Sequence, residues 1–450
     1  MIKLEKIIFL LLVCIHTESF AQKSWKLDAC IDHALAHNLR LNDLNYTSAS
    51  EKEKNKQSYR EFLPTIEASA SYDIQYGRSV DPNTNQIVSS NFFSNNYFIR
   101  ARLDLFNGFQ RINTIAATKF LYKASLEEYE QEKYLLAFSV MSAFYDVQFY
   151  NELLQISKEQ VVISERNRDF VKKQVDLGMK AGADLYEAEA IVIGDELIVT
   201  QNENNLKTAK LKLIQEMNLE NVTDIEINAF DTTFTEEENI KEIDSDTVYN
   251  KALSFMPIIK SQEFRVKAAQ KDVSIARGSL YPTLSFSAGY QTGYFETNVD
   301  DAGSVIPFST QTNNNASQFI GLSLRIPISE RWSNRSEIKQ KKIALLQRKN
   351  DLKLQQQELN KVIQELTQAY EASKVEYSRT KQSEASQATV FAIAQKRYEK
   401  GLISILELRQ AKTTYAVAQS NTLQVKLKLQ VQQKTLDFYM GLPVFNINKN

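Results

Sequence analysis

The feature that most constrains this chain is an internal duplication. A Leu-Pro-Thr triplet at 63–65 recurs as Tyr-Pro-Thr at 281–283, and alternating apolar and small polar residues follow each triplet. Farther along, Asp-Leu-Tyr-Glu-Ala at 184–188 matches Glu-Leu-Arg-Gln-Ala at 407–411. Two copies of about 220 residues therefore make up most of the chain, and both are expected to form the same structural unit.

Each copy contains a long segment that is almost free of helix breakers. Residues 109–177 include neither Gly nor Pro, and residues 331–440 include only Gly401. An uninterrupted helix over the first segment would be about 100 Å long at 1.5 Å per residue. Each copy is therefore predicted to have one long helix and one returning helix, with the turn at Gly178 or Gly401.

Both returning helices show a seam with a spacing of about 3.5 residues. The seam of the second copy consists of Leu408, Ala411, Tyr415, Ala418, Thr422, Val425, Leu429, Gln432, Leu436 and Tyr439. The seam of the first copy consists of Leu185, Ala188, Val192, Asp195, Val199, Asn202, Leu206, Ala209 and Leu213. Small and polar seam residues favour helices packed around an aqueous bore, and a solvent-exposed coiled-coil scaffold is the alternative.

Each copy also contains two runs in which apolar residues alternate with polar ones, the pattern of a strand with one apolar face. The apolar positions are Ile66, Ala68, Ala70, Tyr72, Ile74 and Tyr76, then Tyr97, Ile99, Ala101, Leu103 and Leu105, then Leu284, Phe286, Ala288 and Tyr290, then Ile320, Leu322, Leu324 and Ile326. Runs of roughly ten residues suit tilted membrane strands. A soluble sandwich with its apolar faces inward is the alternative.

The connections within each strand pair favour the membrane interpretation. Residues 80–96 and 297–317 are long, polar and rich in Asn and Ser, as the outer loops of membrane barrels are. Tyr72, Tyr76, Tyr97, Tyr290 and Tyr294 cluster at strand ends, where a membrane interface would hold them. Because four strands cannot close a barrel in lipid, several chains would have to share one.

The chain is predicted to comprise four segments. Residues 1–21 have the pattern of a signal peptide, with an apolar run too short to span a bilayer. Residues 22–219 and 244–450 are the two repeats, each with a helix, two strands and a long helical hairpin, and residues 220–243 form an acidic linker. Lipidation of Cys14 is not expected because Val13 precedes it. Cys30 then remains as a single cysteine.

Composition argues against several classes of function. The chain has 54 Lys and Arg against 55 Asp and Glu, so no basic balance points to nucleic acid. His33 and His37 have the spacing of two zinc ligands, but no third ligand accompanies them. No phosphate-binding Gly-rich loop or catalytic triad is present, so neither a cofactor, a metal nor an enzymatic reaction is expected. Trp25 and Trp332 lie beside helix starts and are predicted to pack.

Several short motifs resemble those of TolC-like outer membrane factors. They are Trp-Lys-Leu-Asp-Ala-Cys-Ile at 25–31, Leu-Phe-Asn-Gly at 105–108, and Arg-Tyr-Glu-Lys-Gly-Leu-Ile-Ser at 397–404, together with the Pro-Thr strand starts. The resemblance implies a mainly α-helical fold with a membrane β component. In it, duplicated hairpins of three chains form an α-barrel tunnel in the periplasm, and four strands per chain complete a shared barrel of twelve strands in the outer membrane.

The same resemblance implies partners and site residues. A homotrimer in the outer membrane would meet a periplasmic adaptor, or membrane fusion protein, and through it an inner-membrane pump. Gly178, Met179, Gly401 and Leu402 would occupy the tips that dock the adaptor. The alternative is that the glycines only form the turns, where positive φ is needed.

Acidic residues just inside the tips are predicted to constrict the duct. Asp184 and Glu407 match the family's positions, and three copies of each would form carboxylate rings. A second acidic position known in some members is Gln410 here, which lowers the charge expected of an inner ring. Helix capping is the alternative role for both carboxylates.

The polar faces of the strands give a further set of candidates. If the apolar faces meet lipid, Arg100, Arg102, Asp104 and Arg325 face the barrel lumen. The predicted function is an outer membrane channel-tunnel of a tripartite efflux or type I secretion system that exports substrates passively. A soluble periplasmic coiled-coil adaptor or scaffold is the alternative.

Overall fold

The computed structural model describes residues 24–81, 85–89, 91–228 and 244–445. The predicted signal peptide and residues 229–243 of the predicted linker lie outside these ranges. The described helices are α1 (Leu27–His37), α2 (Leu39–Arg60), α3 (Gln110–Asp176), α4 (Gly182–Glu216), α5 (Ser245–Phe255), α6 (Pro257–Gly278), α7 (Phe308–Asn314), α8 (Ser333–Glu399) and α9 (Ile405–Tyr439). The described strands are β1 (Thr65–Gln75), β2 (Ser79–Val80), β3 (Ile87–Val88), β4 (Phe92–Asn107), β5 (Thr283–Phe295) and β6 (Ser317–Arg325).

The chain divides into two compact units. A helical unit takes its described residues from 1–44, 129–257 and 355–450, and a sheet unit comprises Asn45–Glu128 and Ile258–Leu354. Both units contain part of α3 and part of α8, because each of these helices is long enough to run through the boundary.

The two long hairpins have matching lengths. Helices α3 and α8 each have 67 residues, and α4 and α9 each have 35 residues. Each long helix begins and ends within three residues of the limits that the absence of Gly and Pro predicts. This agreement follows from the cost of breaking a continuous ladder of backbone hydrogen bonds where no residue favours it.

The predicted seams are the buried edges of α4 and α9. Every seam residue of α9 is buried or partly buried, and Leu408, Leu429 and Leu436 are almost fully so. The polar seam residue Asn202 of α4 is also buried, whereas Asp195 keeps some exposure. The pattern therefore predicted which edge of each returning helix packs.

A four-stranded antiparallel sheet has the strand order β1-β4-β5-β6. Its register aligns Ile66, Ala101, Ala288 and Ile320 in one row across all four strands. Residues that face each other in a ladder point to the same side, so the four predicted apolar sets share one face. Much of that face is solvent-exposed: Ile320 on the edge strand β6 is 80% exposed.

The soluble-sandwich alternative requires a second sheet over this apolar face. Among the described residues, the only other sheet is the short β2–β3 hairpin, which has two residues in each strand. The apolar side chains Ile66, Leu322 and Leu324 are exposed along the sheet. The sandwich is therefore not the fold of the described chain.

The connections beyond the strands are more structured than their composition suggests. The loop within the second strand pair contains α7, and Gln311 of this helix is buried. Its amide donates to the carbonyl oxygens of Phe295 and Ile306, and its side-chain oxygen accepts from the Phe295 amide at 3.0 Å. Asn/Ser-rich composition indicated a loop, but the buried Gln311 supplies three of the hydrogen bonds that order it.

Each copy begins with two consecutive helices where the pattern predicted one. Asn38 separates α1 from α2 and accepts from the Leu41 amide at 3.0 Å. Pro257 begins α6, a position where its missing N–H costs nothing.

Residues of α1 form part of the hydrophobic core of the helical unit. One of them is Cys30, and burial raises the pKa of its thiol to about 12.

Two glycines make a close backbone contact at a strand-to-helix junction of the sheet unit. Gly108, with φ of +66°, follows β4, and Gly278 ends α6. A Cβ added at Gly108 would lie 2.1 Å from the Gly278 carbonyl oxygen, so no other residue fits without backbone movement.

Among the described helices, none is both long and apolar enough to cross a bilayer.

Candidate functional site

The four charged residues predicted for the polar sheet face do lie on one face. In the ladder, Arg100 pairs with Glu67, Arg102 with Ser287, and Asp104 with Ser285. Arg325 pairs with Thr283, which shares its side of β5 with these serines. The structure therefore groups the predicted residues opposite the apolar face.

Charges of both signs are partly neutralised on this polar face. The Arg100 guanidinium lies 3.8 Å from the Glu67 carboxylate, and Arg102 lies 3.5 Å from Asp104. Arg325 forms an ion pair with Glu330 at 3.1 Å. These pairs are exposed, so each stabilises the fold little, and the arginines stay accessible to solvent.

The two hairpin tips share one turn geometry. Gly178 and Gly401 have φ of +71° and +70°. Residues 178 and 179 donate backbone hydrogen bonds to the Val175 and Gln174 carbonyls at 2.9 and 2.8 Å, and residues 401 and 402 donate to Tyr398 and Arg397 at 2.8 and 2.9 Å. This is the Schellman arrangement that ends a helix at a left-handed glycine. The glycines therefore form the turns, which is compatible with either interpretation of the tips.

The residues after these glycines present apolar side chains to solvent. Met179 is 70% exposed and Leu402 is 64% exposed, with Leu177 also exposed beside Gly178. Exposed apolar side chains in matching places on both tips are suited to contact another protein. Docking itself stays a prediction.

Asp184 and Glu407 both cap the helices that leave the tips. Asp184 accepts from the Ala181 amide at 3.2 Å. Glu407 accepts from the Ser404 amide at 3.3 Å and from its hydroxyl at 3.1 Å, while its own amide donates to the Ser404 hydroxyl at 3.2 Å. The capping role is therefore present in the structure, and it holds both carboxylates at the start of their helices. A role in constricting a duct stays a prediction.

The helical unit brings the two tips together. Val171, Ala188, Tyr398 and Leu408 belong to one buried cluster. The Lys180 ammonium lies 5.0 Å from the centre of the Tyr398 ring and 3.5 Å from its hydroxyl. Burial raises the pKa of Tyr398, and the Asp184 and Glu187 carboxylates add to that shift. The helices that lead into and out of the two tips therefore share one packed region.

A buried charge network inside the helical unit escaped the sequence analysis. Lys412 of α9, only 4% exposed, donates from its ammonium to the Asp195 carboxylate of α4 and to the Ser164 hydroxyl of α3. Ser164 also donates to Asp195, and the Gln160 carbonyl lies 3.5 Å from the ammonium. Burial lowers the pKa of Lys412, and the hydrogen bond and charge of Asp195 oppose this shift.

The two histidines among the described residues, His33 and His37, lie side by side. Their ring centroids lie 4.1 Å apart in a stacked arrangement. Nδ1 of His33 contacts the Met217 carbonyl oxygen, and Nδ1 of His37 contacts the His33 carbonyl oxygen. Across the described residues, no group of three His, Cys, Asp or Glu side chains could hold a metal ion.

Comparisons with known proteins agree with this geometry. A family model described as outer membrane efflux protein matches residues 30–218 and 248–442. An uncharacterised protein of Haemophilus influenzae is 24% identical over 229 residues, which cover 50% of this chain and 47% of that protein. The chain thus matches about half the length of this curated relative.

Two solved structures share the fold. CusC, studied for the conformational changes that accompany folding and transmembrane channel formation, matches with a TM-score of 0.77 and 17% identity over 94% of this chain and 93% of that one. The CmeC outer membrane channel of Campylobacter jejuni matches with a TM-score of 0.76 and 17% identity over 94% and 87% of the two chains. These matches confirm the mainly helical fold with duplicated hairpins. Because the family model covers most of both repeats, the chain belongs to the outer membrane efflux protein family.

Proposed function

We propose that this chain is one protomer of an outer membrane channel-tunnel that passes substrates outward and catalyses no reaction. The observation that carries the proposal is the sheet, whose apolar side chains are exposed on one face while arginines and an aspartate occupy the other. A face of this kind suits contact with lipid, and its opposite face suits contact with water. The soluble adaptor or scaffold alternative provides no partner for the exposed apolar face.

Strand pairing supports a homotrimer. Within the described chain, β1 and β6 each pair on one side only, so one sheet leaves two open edges. Unpaired backbone groups in hydrocarbon cost several kcal/mol each, so a sheet in lipid must close. Three chains would join β6 of one to β1 of the next, giving a barrel of twelve strands with the helical hairpins in the periplasm.

The tips would receive a periplasmic adaptor and, through it, an inner-membrane pump. Gly178 and Gly401 shape the turns, and Met179 and Leu402 supply exposed apolar contacts. The polar sheet face, with Arg100, Arg102, Asp104 and Arg325, would line the lumen.

Near the tips, Asp184 and Glu407 would form two carboxylate rings in the trimer. Both are fixed at helix starts by their capping hydrogen bonds, so their charges would lie at defined positions. Rings of carboxylates attract cations at a constriction. The duct would be cation-selective at this level.

The experiment that tests the function is planar-bilayer conductance of the detergent-extracted protein, with its oligomer size measured in parallel. Glu407→Gln, on α9, is compared with Glu358→Gln, which removes an exposed carboxylate of α8 that is not at a tip. A conducting trimer whose cation preference falls only with Glu407→Gln supports both the duct and the constriction. Equal conductance and selectivity in both variants would retain the duct and remove the constriction. A soluble, non-conducting monomer would refute the proposed function.

The lumenal assignment has a separate test on the same bilayers. Reversing one charge with Arg102→Glu should shift the ion preference of single channels toward cations, because the side chain would border the ion path. Lys349→Glu, an exposed residue of α8, makes the same charge change away from the sheet. An unchanged preference with Arg102→Glu would place Arg102 outside the lumen.

A further inference from the structure

The run of exposed apolar side chains on β6 continues along the chain past the end of the strand. Ile320, Leu322 and Leu324 are exposed on β6, and beyond it Ile328 is 94% exposed and Trp332 is 68% exposed. The sequence-based expectation that Trp332 packs is therefore wrong, whereas Trp25 is partly buried against the helical core. An exposed indole at the end of an exposed apolar stripe is typical of a residue at a membrane interface.

The backbone holds Trp332 outward at a conformational cost. Arg331 and Trp332 both have positive φ, 50° and 63°, a region that side chains with a Cβ rarely adopt. Glu330 holds the turn, because its carbonyl accepts from the Ser333 amide at 3.0 Å and its carboxylate pairs with Arg325 at 3.1 Å. Strained residues persist where the surrounding structure enforces them, and they cluster at binding sites.

A cation stacks on the exposed indole. The Arg335 guanidinium lies 4.3 Å from the centre of the Trp332 ring. Arg335 is exposed, and its guanidinium forms no hydrogen bond or ion pair with another residue that the structure describes. A stacked guanidinium keeps its N–H donors in its own plane, where they fit two oxygens of a phosphate.

The matching junction of the first copy is built differently. Phe109, also with positive φ, packs against Phe106 and Tyr281 at ring distances of 5.2 and 6.5 Å. Arg111 there donates to the Asp104 carbonyl at 2.6 Å and to its carboxylate at 3.2 Å. At the first junction, the Arg111 guanidinium is therefore hydrogen-bonded within the protein. At the second, the Arg335 guanidinium has no hydrogen-bond or ion-pair partner among the described residues.

We propose that Trp332 and Arg335 bind the phosphate head group of a phospholipid at the periplasmic boundary of the outer membrane. The indole would lie at the level of the head groups, and the guanidinium would donate to phosphate oxygens. A lipid fits better than a protein partner for two reasons. The patch follows the exposed apolar face of β6, and the Arg335 guanidinium at its end has no anionic partner among the described residues. This inference rests on the proposed function, since it requires insertion of the sheet.

The test uses the fact that the chain has two tryptophans. Trp25→Phe leaves Trp332 as the single tryptophan in a conservative background, and excitation at wavelengths that tyrosine does not absorb reports on it alone. The reconstituted trimer is examined in vesicles whose phospholipids carry bromine at a shallow or a deep acyl position. Shallow bromine should quench Trp332 more than deep bromine, and aqueous iodide should quench it weakly.

The head-group contact is tested by adding a minor fraction of brominated phosphatidylglycerol to unlabelled phosphatidylcholine. Arg335→Gln should reduce quenching by the brominated lipid, whereas Lys349→Gln, farther along the same exposed helix, should not. Equal quenching in both variants would overturn the phosphate contact.

Conductance of the same vesicles separates this inference from the proposed function. Conducting vesicles in which Trp332 is open to iodide and unaffected by bromine would overturn the lipid site alone. Protein that neither inserts nor conducts would refute the proposed function instead.

Discussion

The two helical hairpins have equal helix lengths and the same turn geometry, yet they bury different charges. Lys412 follows Gly401 by the same number of residues as Glu189 follows Gly178. Lys412 is buried against Asp195 and Ser164 of the first hairpin, whereas Glu189 remains partly exposed. The duplicated backbone therefore does not duplicate the packing, and the network makes the two hairpins non-interchangeable.

The strand-to-helix junctions differ in the same manner. Both place two consecutive residues in the left-handed region just before a long helix, Gly108 and Phe109 in one copy and Arg331 and Trp332 in the other. In the first copy the glycine is required by the Gly278 backbone, and in the second an arginine tolerates the strain in open solvent. Equivalent backbone geometry thus arises for different physical reasons.

The largest expected effect comes from breaking the buried network. Lys412→Met leaves the mostly buried Asp195 carboxylate without its cation, and we expect a loss of about 3 kcal/mol in the free energy of unfolding. Pulsed labelling of Cys30, the one cysteine among the described residues, measures this unfolding in urea. The matched change Glu189→Met should cost less than about 0.5 kcal/mol.

A second substitution sharpens the same comparison. Asp195→Leu combined with Lys412→Met should recover much of the lost stability, because an apolar pair carries no desolvation penalty. If Lys412→Met alone were as stable as the unmodified protein, the network would not distinguish the hairpins.

A comparable effect is expected at the junction glycines. Gly108→Ala would place a Cβ against the Gly278 carbonyl and should destabilise the protein by about 3 kcal/mol, from left-handed strain plus overpacking. Arg331→Gly should instead stabilise it by less than about 1 kcal/mol, since the strain is relieved. Thermal unfolding followed by circular dichroism measures both, and equal effects of the two changes would contradict the difference between the junctions.

The smallest effect is expected at the tip caps. Ser404 completes a reciprocal cap with Glu407, whereas Ala181, with no hydroxyl, leaves Asp184 with half of one. Ser404→Ala should cost about 1 kcal/mol, and Ala181→Ser should gain a similar or smaller amount. Hydrogen exchange of the first turns of α4 and α9 resolves the two tips. Ala181→Ser should slow exchange in the first turn of α4, and unchanged or faster exchange there would contradict the prediction.

Most of the secondary structure could be predicted because its signals are local. Alternation located the four strands, although β4 begins at Phe92, before the apolar alternation becomes regular. The absence of Gly and Pro located the long helices, and the glycines Gly178 and Gly401 located the tips. The candidate residues on the polar strand faces followed from this alternation, whereas the candidate residues at the tips were implied by the resemblance to a known family.

Other features depended on residues that are distant in the chain. Lys412 directly follows a seam residue, and a lysine there is expected to be exposed to solvent. Its burial could not be inferred without knowing that Ser164 and Asp195 lie against it. Position 331 is occupied by arginine and not by glycine, so its left-handed backbone conformation was not predicted from the sequence. Helix α7 depends on Gln311, whose bonding partners Phe295 and Ile306 are fixed only by the folded loop.

The amino-acid sequence by itself determined the duplication, the long hairpins and the four long strands in their order, and the apolar faces of strands and returning helices. These properties depend on periodicity and on breaker residues, which act over a few positions. The tertiary structure alone decided which charges are buried together, which junction leaves a free arginine, and that the four apolar strand faces share one side. Each of these outcomes depends on long-range packing and register, which bring together side chains from different copies of the repeat.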